Sequence, residues 1–238
     1  MGKNVLVIGA SGDIGQAIVE RLAKDGYQLI LHYHKNSEAM TELRRKIKDK
    51  GVLSVIQADL SNEKETNEFL NQLVFRIDIV VFASGKAEFR LFQETSDTLM
   101  DQMLNLHVKA PWKITRQVLP NMVQQHFGNI IFITSIWGNV GASYEVVYSS
   151  VKGAQNSFVK ALAKEVGPSG ISVNAISPGF IDTKMNRSLS EEEKAQVISE
   201  IPVNRAGLPS EIAHAVSFLL DEKSSYIQGE ILNINGGW

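Results

Sequence analysis

The sequence predicts an α/β fold in one domain: a seven-stranded parallel sheet, doubly wound, with helices on both faces. Three observations carry that prediction. Short apolar runs alternate with helical patterns along all 238 residues, the rhythm of right-handed βαβ units. The first run ends in a glycine-rich turn that opens a helix. No repeat, low-complexity tract or linker interrupts the chain, and a chain of this length buries one large core.

The elements follow in order. Residues 4–8 are an apolar run ending at Gly9, as suits a strand buried on both faces. Residues 14–24 place Ile14, Ala17, Ile18 and Leu22 close to one helical stripe. A strand over 27–33, a charged helix over 37–50 closed by Gly51, a strand over 53–58, a helix over 63–75 and a strand over 78–82 complete the first half. The second half opens with a long helical region, 95–125, expected to bend near Asn105, Leu106 and His107 and to distort or restart at Pro111. Strands over 128–134, 171–176 and 230–234 then alternate with helices over 144–166, 190–200 and 210–220. The polar, glycine-free stretch 188–205 is expected to form a mobile flap over the pocket.

Composition removes several classes of function. The net charge of −2, from 24 basic and 26 acidic residues, gives no global attraction to nucleic acid or an anionic membrane. The absence of cysteine excludes disulfides, thiol nucleophiles and cysteine-ligated metals, and no metal is expected. The apolar run near the N-terminus is too short for a signal-peptide core, and nothing approaches the ~18 apolar residues of a membrane span. The expectation is a cytoplasmic protein.

Gly9, Ala10, Ser11, Gly12, Asp13, Ile14 and Gly15 lie between the first strand and the first helix. Glycines there permit a tight turn and let backbone N–H groups and a helix N-terminus approach a pyrophosphate. The alternative is an ordinary strand-to-helix turn capped by Ser11 or Asp13. At the end of the second strand an acid would accept hydrogen bonds from the adenosine ribose of NADH. The chain instead reads His32, Tyr33, His34, Lys35, Asn36, Ser37, with no acid before Glu38. His34, Lys35 and Ser37 would surround a 2′-phosphate, which favours NADPH; otherwise they form a solvated helix start. Asp59, after the third strand, is placed to meet the adenine amino group or to cap the following turn.

Tyr148 precedes Lys152 by four residues, so on a helix the two side chains share a face. An ammonium there favours the phenolate. Bringing a tyrosine from near 10 toward neutrality, a drop of ~3 units, takes ~4 kcal/mol of differential interaction, from the lysine and a cationic nicotinamide ring. Alone, this spacing is also that of an amphipathic helix with a half-buried tyrosine and a solvated lysine.

With the glycine loop, Asp59, Asn105, Ser135 thirteen positions before Tyr148, Lys152 and the pair Pro178–Gly179 in order, the chain resembles the short-chain dehydrogenase/reductase family over essentially its whole length. It is similar to the 3-oxoacyl-[acyl-carrier-protein] reductase branch in Ile201, Pro202, Val203, Asn204, Arg205 and in the ending Asn233, Ile234, Asn235, Gly236, Gly237. The resemblance implies a Rossmann-type NADPH-dependent ketoreductase. In it Ser135 polarises the carbonyl, and Tyr148 donates the proton. Lys152 lowers the tyrosine's pKa and holds the nicotinamide ribose. Asn105 stabilises a helix irregularity and a water that passes protons to Lys152. Leu60, Ala83 and Gly85 would line the cofactor, and Pro178, Gly179, Ile181 and Thr183 would meet the nicotinamide carboxamide. It further implies homodimers or homotetramers built on the long helices 95–125 and 144–166.

Three departures from the family pattern bear on partners. Gly12 and Asp13 replace a frequent basic residue and the usual glycine. Phe82, Ala83, Ser84 and Gly85 stand where the family has Asn-Asn-Ala-Gly. His126 and Ser169 occupy the positions of the arginines that dock acyl carrier protein. The run from Ser135 through Trp137 to Ser143, with Glu145 nearby, also looks similar to reductases that act on the 5-aminopentanone modification of elongation factor P. There a carboxylate at Glu145 would attract a substrate ammonium, or would merely favour the first turn of its helix. Trp137 would wall the pocket or fill core. Tyr144 is a second tyrosine near the site, without a lysine four residues on.

Overall fold

Alternate residues of the central strands point to opposite faces of the sheet, and here both faces are apolar. The computed structural model describes residues 2–186 and 189–238. In chain order the elements are β1 (Asn4–Ile8), α1 (Asp13–Lys24), β2 (Gln28–Tyr33), α2 (Ser37–Ile47), β3 (Val52–Gln57), α3 (Glu63–Asn71), β4 (Ile79–Phe82), α4 (Asp97–Leu104), a π-turn (Asn105–Lys109), α5 (Ala110–Gln124), β5 (Gly128–Ile133), α6 (Trp137–Val140), α7 (Val146–Val166), β6 (Ile171–Pro178), α8 (Glu191–Glu200), α9 (Pro209–Leu220) and β7 (Ile231–Ile234). The seven strands are all parallel, in the order β3-β2-β1-β4-β5-β6-β7. Val5, Val7, Leu29, Leu31 and Val81 pack on one side with α1 and α9, through Ile18, Leu22, Ile212 and Val216. Leu6, Ile8, Ile30, Val80 and Phe82 pack on the other with α5 and α7, through Ile114, Val118, Val159 and Leu162. The order reverses between β1 and β4, so a crevice opens at the C-terminal ends of those strands, where open α/β sheets bind their ligands.

The helix boundaries depart from the sequence expectation where local backbone geometry intervenes. The helix expected over 37–50 ends at Ile47 because Lys48 and Asp49 adopt left-handed φ values of 55° and 48°. The region 95–125 is two helices joined by the π-turn, in which the Ala110 N–H reaches back to the Asn105 carbonyl. Pro111 sits in the first turn of α5, where its missing N–H costs least, so the irregularity belongs to residues 105–109. The helix expected from 144 begins at Val146, because Tyr144 is left-handed (φ 63°) and its carbonyl accepts the Arg90 N–H at 2.8 Å. Of the flap 188–205, Ser188 lies outside the described residues. The remainder is α8, closed by a Ser190–Glu193 capping box, followed by the buried Ile201.

Two histidines are wholly buried. His32, at the end of β2, accepts the Gly9 N–H at Nδ1 (3.2 Å) and donates from Nε2 to the Ala58 carbonyl (3.0 Å), with Phe69 edge-on to the ring. The two partners fix one neutral tautomer and clasp the ends of β1, β2 and β3 together. Burial pushes His32 down to about 4, against the opposing Ala58 bond. His107 is pushed down to about 3 by burial and then by the Lys152 charge. A histidine kept neutral in the fold charges on unfolding, so its contribution is complete above about pH 6.5 and is lost as pH falls toward its folded value. His32→Asn should therefore remove about 2 kcal/mol of the difference in urea-unfolding free energy between about pH 7 and about pH 4.5. An unchanged pH dependence in that variant would contradict the neutral, clasped imidazole.

Candidate active site

The glycine loop is built for close approach. Gly9 has φ 86°, and a Cβ there would lie 2.6 Å from the Ser84 backbone. A Cβ on Gly15 would lie 2.1 Å from the Gly9 carbonyl oxygen, so neither position admits a side chain. Gly12 has room for one; it is the N-cap of α1 and no side chain caps that helix, so neither Ser11 nor Asp13 serves as the expected cap. Asp13 turns away from the loop instead, and its Oδ2 accepts the Lys184 N–H at 2.5 Å. That bond draws the segment after β6, with Pro178, Gly179, Ile181 and Thr183, toward the start of α1. Ile181 is buried in the core, as is Leu60, whose side chain is thereby removed from any cleft; Ile14 is partly buried against the same core as Ile181.

At the adenosine end, Asp59 Oδ1 accepts from the Ser61 N–H (2.9 Å) and hydroxyl (2.7 Å), which is the turn-capping alternative. Its Oδ2 lies 3.4 Å from His34 Nε2. Desolvation opposes its charge, but the Ser61 bonds, His34 and Lys35 outweigh this and hold the carboxyl below its usual range. Ser37 opens α2 behind the side-chain cap Asn36. His34, Lys35 and the N-terminus of α2 thus meet at the edge of the crevice, a setting that favours an anion.

The reacting end lies where β5 meets α7. Ser135 Oγ accepts the Trp137 N–H at 3.2 Å and is within hydrogen-bonding reach of Tyr148. Lys152, 2% exposed, donates to the Ile133 carbonyl at 2.9 Å and stands 5.5 Å from the centre of the Tyr148 ring. No other partner engages its ammonium among the described residues, and burial pushes it down to about 7. Tyr148 is pushed up by burial and then by Glu145, with the Ser135 bond opposing. The expected drop in its pKa is therefore reversed in the protein alone, because burial and the nearby Glu145 outweigh the Ser135 bond.

His107, read from the sequence only as part of a bend, joins the site beside neighbours that the sequence names. The π-turn brings His107 against the Tyr148 ring (5.8 Å, nearly perpendicular), while its Nε2 lies 3.2 Å from the Lys86 carbonyl. A Cβ on Gly85 would lie 3.5 Å from His107 Cε1 and 3.9 Å from Lys152 Nζ, so this glycine borders both. Ala83 follows β4 beside β1, its N–H bonded to the Ile8 carbonyl. The Asn105 amide points to the Ser61 carbonyl (3.1 Å), tying the π-turn to the loop after β3. Glu145 precedes α7, is only 5% exposed, and is pushed up to about 7 by burial, with the Trp137 indole opposing. Tyr144 is exposed and lines, with Phe92, Leu99, Met103, Val147 and Tyr148, an open cleft of about 290 Å³. Nothing in a pattern of residue types signals that Glu145 is buried; the left-handed turn at Tyr144 does that.

These residues fit a nicotinamide dinucleotide. Gly9 and Gly15 keep the loop tight at the start of α1, where backbone N–H groups would hold a pyrophosphate, and the buried Lys152 would have donors to spare for ribose hydroxyls. No cluster that would hold a metal occurs among the described residues, and no described helix is long and apolar enough to cross a membrane.

Known proteins are similar to this chain in sequence and in fold. A family profile described as enoyl-(acyl carrier protein) reductase matches residues 9–238. A Bacillus subtilis protein named uncharacterized oxidoreductase YmfI is 47% identical, across 100% of this chain and 99% of that protein. The 3-oxoacyl-[acyl-carrier-protein] reductase FabG of Staphylococcus epidermidis is 33% identical over the same shares. Among solved structures, a Serratia marcescens short-chain dehydrogenase/reductase superposes with a TM-score of 0.90 at 29% identity, covering 100% of this chain and 98% of the other. A Beutenbergia cavernae protein described as an NAD(P)-dependent gluconate 5-dehydrogenase, solved with NADP at low occupancy, gives 0.93 at 26% identity, covering 100% and 96%. The chain is an oxidoreductase that belongs to the short-chain dehydrogenase/reductase family, on its 3-oxoacyl-[acyl-carrier-protein] reductase-like branch.

Proposed function

We propose that this oxidoreductase is an NADPH-dependent ketoreductase. The observation that carries the proposal is the convergence of Ser135, Tyr148 and the buried Lys152 at the end of β5, beside a glycine loop that accepts no side chain at Gly9 or Gly15. NADPH over NADH is supported by His34 and Lys35 at the end of β2, where no acid stands. Bound in this cleft, the reduced cofactor supplies a hydride to the carbonyl carbon. Ser135 holds the carbonyl oxygen, and Tyr148 gives that oxygen its proton. Lys152 steadies the phenolate left behind and holds ribose hydroxyls.

The raised pKa of Tyr148 agrees with the reductive direction. An alkoxide is a far stronger base than a phenolate, so proton transfer to it runs downhill even from a phenol above 10. Alcohol oxidation would need the phenolate beforehand, the form that burial and Glu145 disfavour.

The full-length relatives support a 3-oxoacyl thioester on acyl carrier protein as substrate. Glu145 favours a second reading, the ketone of 5-aminopentanone-modified elongation factor P. A carboxyl buried this close to Tyr148 has no partner in an acyl thioester, whereas an ammonium on the substrate would restore its charge. The faces of α4, α5 and α7, with Leu104 and Trp112 exposed, support assembly into a homodimer or homotetramer.

Tyr148→Phe should lower ketone reduction by about 10²- to 10⁴-fold with NADPH affinity retained; turnover equal to the parent's would end the ketoreductase reading. Initial rates with acetoacetyl-carrier protein against aminopentanone-bearing elongation factor P, each with NADPH and NADH, separate the two substrates. If the second reading holds, Glu145→Gln should raise KM for the amino ketone by about tenfold or more and leave a neutral β-ketoester nearly unchanged. In the parent, KM for the amino ketone should fall as pH rises through about 7, where Glu145 ionises, with no such limb for the neutral ketone.

A further inference from the structure

The helix α8 buries none of its own side chains, so its place beside the crevice depends on what holds its two ends. At its C-terminal end the hold is made by residues 235–238. Gly236 (φ 68°) lies so close that a Cβ would meet Val203 at 2.5 Å and Ile201 at 2.8 Å, and Gly237 packs flat on Pro202. The Val203 N–H donates to the Gly236 carbonyl at 3.2 Å. Asn235 closes the turn, accepting the Gly237 N–H at 3.1 Å and donating to the Trp238 carbonyl.

This turn aims Trp238 in two directions at once. Its indole Nε1 donates to Glu200 Oε2 at 3.3 Å, the last residue of α8. Its ring stands edge-to-face on Trp137, with centroids 5.1 Å apart and planes at 70°. Trp137 is the residue whose backbone N–H donates to Ser135 Oγ at 3.2 Å and whose indole eases the ionisation of Glu145 against burial. The same tail also borders the cofactor loop: the Gly179 N–H donates to the Ile234 carbonyl at 3.0 Å.

We infer that Trp238 is a positioning residue for the ketone pocket, coupling the seating of α8 to the orientation of Trp137 and hence of the groups beside Tyr148. A contiguous path of packed and hydrogen-bonded groups runs from Glu200 through Trp238 and Trp137 to Ser135 and Glu145, and no part of it touches the phosphate loop. The Gly179 contact is made by the Ile234 carbonyl and not by the Trp238 side chain, so loss of that side chain acts on the ketone more than on the dinucleotide. This inference rests on the ketoreductase reading for its kinetic consequence but not for its structural one.

The test uses the full chain with NADPH and ethyl acetoacetate as probe ketone, together with hydrogen exchange over residues 191–200. Trp238→Ala should raise KM for ethyl acetoacetate by about tenfold or more, keep KM for NADPH within about twofold, and speed exchange in α8. Trp238→Phe, which keeps the aromatic edge, should restore the ketone KM to within about threefold of the parent. Glu200→Gln, remote from the ketone, should quicken exchange in α8 less than Trp238→Ala does. The inference stands only if ketone KM and α8 exchange move together in Trp238→Ala. Movement of either one alone, or an equal rise in both KM values, overturns it. If the parent reduces no ketone, the ketoreductase reading fails, and the exchange comparison still decides whether Trp238 holds α8.

Discussion

A lysine ammonium buried beside a tyrosine, with one carbonyl for a partner, is the constraint around which the rest of the site is arranged. Removing that charge from water is costly enough to bring Lys152 to about 7. The sheet supplies the carbonyl of Ile133 at the end of β5, and α7 supplies the lysine from the facing layer. Glu145 stands near the tyrosine, and no carboxylate among the described residues pairs with the ammonium. The site thus keeps donors for hydroxyl acceptors and a charge that is present or absent near neutral pH.

The two buried histidines extend the same logic to the two ends of the cleft. His32 binds the phosphate loop to β3 through both ring nitrogens, and His107 sets the loop after β4 against the π-turn. Each is neutral because it is buried, and each holds a segment whose backbone must pass close to a ligand. At His32 rigidity comes from two satisfied hydrogen bonds in a dry environment, where losing one partner is costly, whereas His107 bonds through Nε2 and leaves Nδ1 without a partner. The π-turn has a geometric role too. By widening one turn it brings a side chain of the helix, His107, onto the face of Tyr148, where a regular helix would continue past it.

Glu145 opposes the acidity that a helical lysine neighbour was expected to confer on Tyr148. Burial raises the cost of ionising both groups, and the carboxylate adds to that cost for the phenol. A site of this kind holds its proton until a strong base develops beside it, which is what a carbonyl oxygen becomes on reduction. The left-handed Tyr144 and its bond to Arg90 are the means by which the chain turns that carboxylate inward.

The alternation of apolar runs with helical stripes determined the doubly wound sheet, because strand and helix periods are local and each buried face repeats the same signal. The glycine loop and the Tyr148–Lys152 spacing were equally legible: one depends on a few adjacent residues and the other on a single helical turn. Leu60 packs its side chain into the core and Asp59 Oδ1 caps the turn through Ser61, neither of which the letters decided, while Asp59 Oδ2 faces His34. The burial of Glu145, the reach of Trp238 to Trp137 and the contact of His107 with Tyr148 were decided by the tertiary structure alone. Those contacts join residues far apart in the chain, and the direction of a buried group's pKa depends on which distant neighbours exclude water from it, a quantity that no pattern of neighbouring letters contains.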